Sequence, residues 1–138
     1  MASEIEQYIR RLYETYYMKD LRKLAADLPD DFEFRMNLPA DAFPGASQNL
    51  DRKSSLEVFQ QLIDSYDFVA IEIGAIVSDG QRAFVQPHIH YKHKQTGEPI
   101  DTTLMHVWTL RNGKPVRLEE FHDVDCTLSH LNRIAIAA

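Results

Sequence analysis

Side chains able to move protons cluster in a few short stretches of this chain. "VQPHIHYKHK", residues 85–94, holds His88, His90 and His93, three of the six histidines in the sequence. His106 stands two positions before the only tryptophan, Trp108. "LEEFHD" brings Glu119, Glu120, His122 and Asp123 together. An imidazole beside a carboxylate is a workable acid–base pair, because each tunes the other's pKa and imidazole titrates near neutrality. "YETYY" near the start carries Tyr13, Tyr16 and Tyr17, phenols that can donate to a ligand oxygen. A metal site needs two histidines on one strand face and a third ligand at matching depth. His88 and His90 supply only the first part, so no metal and no cofactor is expected.

Bulk composition narrows the class of protein. At 138 residues the chain has the length of one domain, read as residues 1–138, with enough material for a real core. Its hydrophobic fraction of 44% and charged fraction of 26% are ordinary for a globular protein. Net charge is −6 and no basic stripe carries interleaved aromatics, which argues against nucleic acid as a partner. No apolar run is long enough to span a membrane, and the N-terminus reads as an amphipathic helix rather than a signal peptide, so a cytoplasmic location is expected. The single cysteine, Cys126, forms no internal disulfide and reads as a small core residue.

The elements that must position these groups follow from hydrophobic period. Ile5, Ile9, Leu12, Tyr13 and Tyr16 recur at three- and four-residue steps and predict a helix from Ser3 to Met18, capped by Ser3. Asp20 caps a shorter helix ending before Pro29. "DFEFRMNL" alternates Phe32, Phe34, Met36 and Leu38 with polar residues, a half-buried strand. "PADAFPGASQNLDRK" is a long loop of the kind that borders pockets. Ser54 and Glu57 read as a capping box for a helix with Leu56, Phe59, Leu62, Ile63 and Tyr66 on its apolar face. Four strands joined by short turns follow: "FVAIEIGAIVS", "RAFVQPHIHYKHK", "IDTTLMHVWTL" and "VRLEEFHDVD". Short turns force antiparallel neighbours. The tail "TLSHLNRIAIAA" carries no firm assignment. This order predicts an α+β half-cone, a curved antiparallel sheet covered by the N-terminal and central helices, with an apolar pocket between them.

Alternation assigns faces. Ile100, Thr102, Leu104, His106, Trp108 and Leu110 share the core-facing side of one strand. His106 is then a polar group in an apolar wall, either a donor to a ligand or a core histidine bonded within the protein. On the last strand Glu120 and His122 point inward if alternation persists, whereas a bulge would turn Phe121 and Asp123 inward. On the histidine-rich strand, alternation sends His88 and His90 outward, and a bulge at Pro87 would bring His88 in.

"YETYYMKDLRKLAADLPDDFEF" and "HVWTLRNGKPVRLEEFHD", with this order of elements, resemble the SnoaL-like branch of the nuclear transport factor 2-like superfamily. The superfamily has a cystatin-like α+β fold and includes ketosteroid isomerases, polyketide cyclases and scytalone dehydratases. The resemblance implies a role for His106 at the position where ketosteroid isomerases place the acid of their oxyanion hole. It places Leu12 and Met36 where those enzymes carry a catalytic tyrosine and a general-base aspartate, so their mechanism is not expected here. Similarity to scytalone dehydratases implies catalytic roles for His88 and Tyr16, with Tyr17 replacing an acidic partner. Asp123 matches the terminal acid of the family's last strand. A homodimer formed through the outer sheet face is also implied.

The expectation is a cofactor-independent isomerase, cyclase or dehydratase acting on a small hydrophobic carbonyl or hydroxyl compound. His106 would polarise an oxygen, His122 or His88 would move a proton, and Asp123 would orient the base. Tyr13, Tyr16, Tyr17, Phe34, Met36, Phe59, Leu104, Trp108 and Glu120 would line the pocket. The alternatives are a non-catalytic small-ligand-binding protein and a dimeric interaction module.

Overall fold

A computed structural model describes residues 3–137. Its elements run α1 (Glu4–Tyr17), α2 (Leu21–Ala26), β1 (Glu33–Asn37), α3 (Arg52–Ser65), β2 (Tyr66–Ser78), β3 (Arg82–His93), β4 (Pro99–Thr103), β5 (Met105–Arg111), β6 (Lys114–Phe121) and α4 (Val124–Ala137). The strands make one six-stranded sheet in the order β1-β6-β5-β3-β2, with β4 also on β3. The sheet is curved and unclosed, with α1 and α3 packed on its concave side, which is the expected α+β half-cone. Among the described residues no helix is long and apolar enough to cross a membrane.

Local chemistry starts each helix. The Ser3 hydroxyl accepts from the Glu6 N–H at 3.1 Å, and the Asp20 carboxylate accepts from the Lys23 N–H at 3.1 Å. The third helix begins earlier than the expected Ser54 cap. Asp51 is the cap, accepting the Ser54 N–H at 2.8 Å, because a carboxylate satisfies an orphan amide and also opposes the helix dipole. Tyr66, expected on the stripe of that helix, is instead the first residue of β2.

Curvature is set where β3 changes partners. Arg82–Val85 pair with β5, and His88–Lys92 pair with β4. Pro87 lies between the two segments, and its carbonyl takes the Leu104 N–H at 2.8 Å. The single strand expected over residues 100–110 is therefore split at Leu104, although Ile100, Thr102, Leu104, His106, Trp108 and Leu110 all stay buried on one face. Opposite Pro87, β2 breaks register between Ile73 and Ile76. Gly74 sits in this bulge, and a Cβ there would come within 3.1 Å of the Gln86 carbonyl oxygen. β1 joins the sheet edge parallel to β6, Phe34 opposite Leu118, a pairing that local periodicity does not reveal.

The tail left unassigned by periodicity is helix α4. Its cap is Asp123, whose carboxylate accepts the Cys126 N–H at 3.1 Å and whose carbonyl accepts the Thr127 N–H at 3.0 Å. Asp123 is exposed and capping, not an orienting acid inside the pocket. Asp123→Ala is expected to lower stability by about 1 kcal/mol, the usual value of an N-cap. Urea unfolding should show this as a lower midpoint at unchanged slope.

Candidate active site

The concave side of the sheet encloses a cavity of about 140 Å³. Its walls are mostly apolar, with Phe34, Met36, Phe59, Leu104 and Trp108 among them. Loop residues Leu38 and Phe43 line it, as do Thr127, His130 and Leu131 of α4. Several polar side chains that face this space form a continuous hydrogen-bonded chain.

The chain begins at Trp108, whose indole N–H donates to the Tyr13 hydroxyl at 2.9 Å. That hydroxyl donates to His106 Nδ1 at 2.6 Å, and His106 Nε2–H donates to Glu120 Oε2 at 2.8 Å. The other carboxylate oxygen, Oε1, accepts from His122 Nε2–H at 2.6 Å. His122 Nδ1 meets the Thr127 hydroxyl at 3.2 Å. A single proton on His106, at Nε2, satisfies every group around it. The secondary structure dictates these contacts. His106 and Glu120 are cross-strand partners in the β5–β6 register, and Glu120 and His122 are two residues apart on the same side of the chain. Alternation therefore persists to the end of β6, and Phe121 is on the outside.

Burial alone would raise the Glu120 pKa, but the charge of His122 and hydrogen bonds from both imidazoles outweigh it. The carboxyl is held well below its ordinary range. For His122, burial opposes protonation, and the adjacent Glu120 charge and hydrogen bond reverse this, so its pKa is raised above 6.5. Burial pushes the Tyr13 phenol far above its usual pKa, so it stays protonated.

The expected site residues divide cleanly. Tyr13, Tyr16, Phe34, Met36, Phe59, Leu104, His106, Trp108, Glu120 and His122 all line the cavity. Tyr17 does not: it is 41% exposed and donates to the Val69 carbonyl, because it falls one residue past the buried stripe of α1. His88 also lies outside. It stands with His90 on the outer face of β3, both rings bonded to Asp101 of β4, and His88 Nδ1 meets the Thr103 hydroxyl at 2.8 Å. Pro87 is inward, so simple alternation holds and no bulge reverses His88. The described residues contain no group of three side chains arranged to hold a metal ion.

Tyr66, Tyr91, Thr127 and His130 line the cavity and were not singled out from sequence. Tyr91 carried a signal, a phenol on the apolar side of its strand. Thr127 and His130, spaced three apart, would have stood out had the tail been read as a helix.

The model of the SnoaL-like domain family matches residues 9–118, and the chain belongs to that family. Among solved structures, a proposed isomerase from Rhodopseudomonas palustris aligns over 96% of this chain and 99% of its own, with TM-score 0.79 and 18% identity. IdmH, a proposed polyketide cyclase from Streptomyces antibioticus, aligns over 94% and 99%, with TM-score 0.77 and 21% identity. TerC, co-crystallised with polyporic acid, aligns over 94% and 99%, with TM-score 0.80 and 16% identity. These similarities show that the chain shares its fold with all three proteins. No curated protein matches the chain.

The two linked titrations predict a stability window. Glu120 has a depressed folded pKa, so its contribution is present above its unfolded value, about 4.3, and is lost as pH falls. His122 has a raised folded pKa, so its contribution is full below its unfolded value, about 6.5, and is lost as pH rises through the folded value. Urea unfolding should show the pair contributing most between about pH 4.5 and 6.5. In Glu120→Gln the His122 resonances should titrate at lower pH than in the wild type, as read by NMR.

Proposed function

We propose that this protein is a cofactor-independent acid–base enzyme of isomerase, lyase or cyclase type, acting on a small hydrophobic carbonyl or hydroxyl compound. One observation carries the reading: an ionised carboxylate clamped between two imidazoles inside an apolar cavity. Glu120 holds its proton too weakly to be an efficient base near neutral pH, and its geometry suits it to orienting His122, as a carboxylate orients the imidazole of a catalytic triad. His122 is then the group that moves the proton. It removes one from the carbon beside a carbonyl, leaving an enolate, and returns it to another carbon or to a departing hydroxyl, which leaves as water. Both ring nitrogens of His106 are held at 2.6 and 2.8 Å, so it is a positioning residue for Glu120 and Tyr13, whereas His122 Nδ1 has only the longer 3.2 Å contact with the Thr127 hydroxyl and is the nitrogen that a substrate would take over. Structural neighbours described as a proposed isomerase and a proposed polyketide cyclase, and one crystallised with polyporic acid, support this class of substrate.

Deuterium exchange at the α-carbon of small aryl ketones, 1-tetralone first, tests the reading. The wild type should accelerate exchange, and His122→Ala should slow it by about 10²–10⁴, the usual value of a general base, with ketone binding retained. A second reading is favoured by the complete internal pairing of the chain from Trp108 to Thr127. In that reading the cavity binds its ligand without turnover. Saturable ketone binding with no exchange above buffer would establish it and remove the catalytic one.

A homodimer through the outer sheet face is part of the proposal. Met105 and Phe121, cross-strand neighbours on that face, are each 42% exposed. Sedimentation should show a dimer, and Met105→Lys with Phe121→Lys should give a monomer. A monomeric wild type removes this part.

A further inference from the structure

Four tyrosines line the cavity, and they fall into two pairs. Tyr13 and Tyr66 give their hydroxyl protons to histidines. Tyr13 bonds His106, and Tyr66 bonds His130 Nε2 at 2.8 Å. His130 is 1% exposed and donates its Nδ1–H to the Pro99 carbonyl at 3.0 Å, which fixes Nε2 as the acceptor for Tyr66. Tyr16 and Tyr91 make ring contacts only. The Phe68 ring lies between them, 4.9 Å from Tyr16 and 4.4 Å from Tyr91 by centroid. Neither hydroxyl has a hydrogen-bond partner among the described residues, although both side chains are deep in the protein and line the cavity.

A phenol hydroxyl in an apolar wall is poorly satisfied without a protein partner, and both of these keep accessible surface, unlike the fully buried and unpaired Tyr8 hydroxyl. This fold pairs the other two cavity phenols, so the exception at Tyr16 and Tyr91 points to a partner that arrives with the ligand. We propose that Tyr16 and Tyr91 are the ligand-reading donors of the cavity, giving hydrogen bonds to the carbonyl oxygens of an uncharged, ring-bearing molecule. The chemistry around them supports donors rather than acceptors. Burial raises both phenol pKa values, the negative charge of Glu120 adds to this at each, the Tyr91 phenol adds further at Tyr16, and neither group ionises near neutral pH. The same carboxylate disfavours an anionic ligand oxygen at this end. Aromatic walls from Phe34, Phe59 and Trp108 suit a flat ring. The proposal rests on the cavity being the ligand site, which the catalytic and non-catalytic readings share, and not on turnover.

A matched probe pair tests it. 1-Tetralone and tetralin have nearly the same shape and differ in one carbonyl. The wild type should bind the ketone more tightly. Tyr16→Phe and Tyr91→Phe should each reduce that preference by roughly three- to tenfold, the usual value of one neutral hydrogen bond, and leave tetralin binding unchanged. The double variant should not distinguish the two probes. Tyr66→Phe, whose hydroxyl is already occupied, should keep the full preference. Thermal unfolding checks the variants without ligand. Tyr16→Phe and Tyr91→Phe should hold or raise the Tm, because they remove unpaired hydroxyls, whereas Tyr66→Phe should lower it. The proposal is overturned if both Phe variants keep the ketone preference, which is the result expected if the phenols bind only water. It is also overturned if the wild type itself makes no distinction between the probes. A preserved, tyrosine-dependent preference with no deuterium exchange upholds it and removes only the catalytic reading.

Discussion

A carboxylate held ionised within a hydrocarbon-lined space is the constraint on which the interior of this protein depends. Removing a charge from water costs several kcal/mol unless hydrogen bonds and an opposite charge replace the solvent. Glu120 receives one N–H from each of two imidazoles, one per oxygen. Those imidazoles need orientation in turn, His106 from Tyr13 and His122 from Thr127. The result ties α1, β5, β6 and α4 together through side chains alone. Loss of any member would leave a buried polar group unpaired, so the network specifies one arrangement of these elements as well as a chemical site.

The cavity exists because the sheet bends. β3 pairs with β2 along one edge and hands its other edge from β5 to β4 at Pro87, a residue that cannot donate to a ladder. The β2 bulge at Gly74 lies on the other side of the same bend. Helices α1 and α3 then cover the concave face without filling it, and α4 contributes the remaining wall. The outer face of the same strand carries His88 and His90 bonded to Asp101 in an exposed cluster. Two sets of histidines thus sit on opposite faces of one sheet. His106 and His122 share apolar surroundings with a carboxylate, where a charge interaction is strong.

Two proteins with this fold, 18% and 21% identical to the chain, carry different proposed activities, isomerase and polyketide cyclase, which is expected when a shared cone supplies only a dry space and the side chains supply the chemistry. In this chain Leu12 and Met36 take apolar places in the wall, and the acid–base groups lie at the end of β6 and on β5. The site is therefore defined by where polar residues interrupt an otherwise apolar lining.

Periodicity in the sequence determined the helices α1 to α3, the strand faces, and the inward position of His106, since each rests on local spacing. The outward placement of His88 and His90 was legible for the same reason. Three features were decided only by the tertiary structure. Asp51 rather than Ser54 caps α3, because two competing caps differ only in the geometry of one turn. Glu120 rather than Asp123 partners His122, because inward alternation continued while Asp123 was taken by the start of α4, an element whose stability comes from docking on β4 rather than from propensity. The division of the cavity tyrosines into paired and unpaired hydroxyls depends on contacts between residues 64 and 93 positions apart, Tyr66 with His130 and Tyr13 with His106. Local sequence carries the period of an element and the face of a side chain, but the partner across the cavity is set only when the sheet curves and the helices dock.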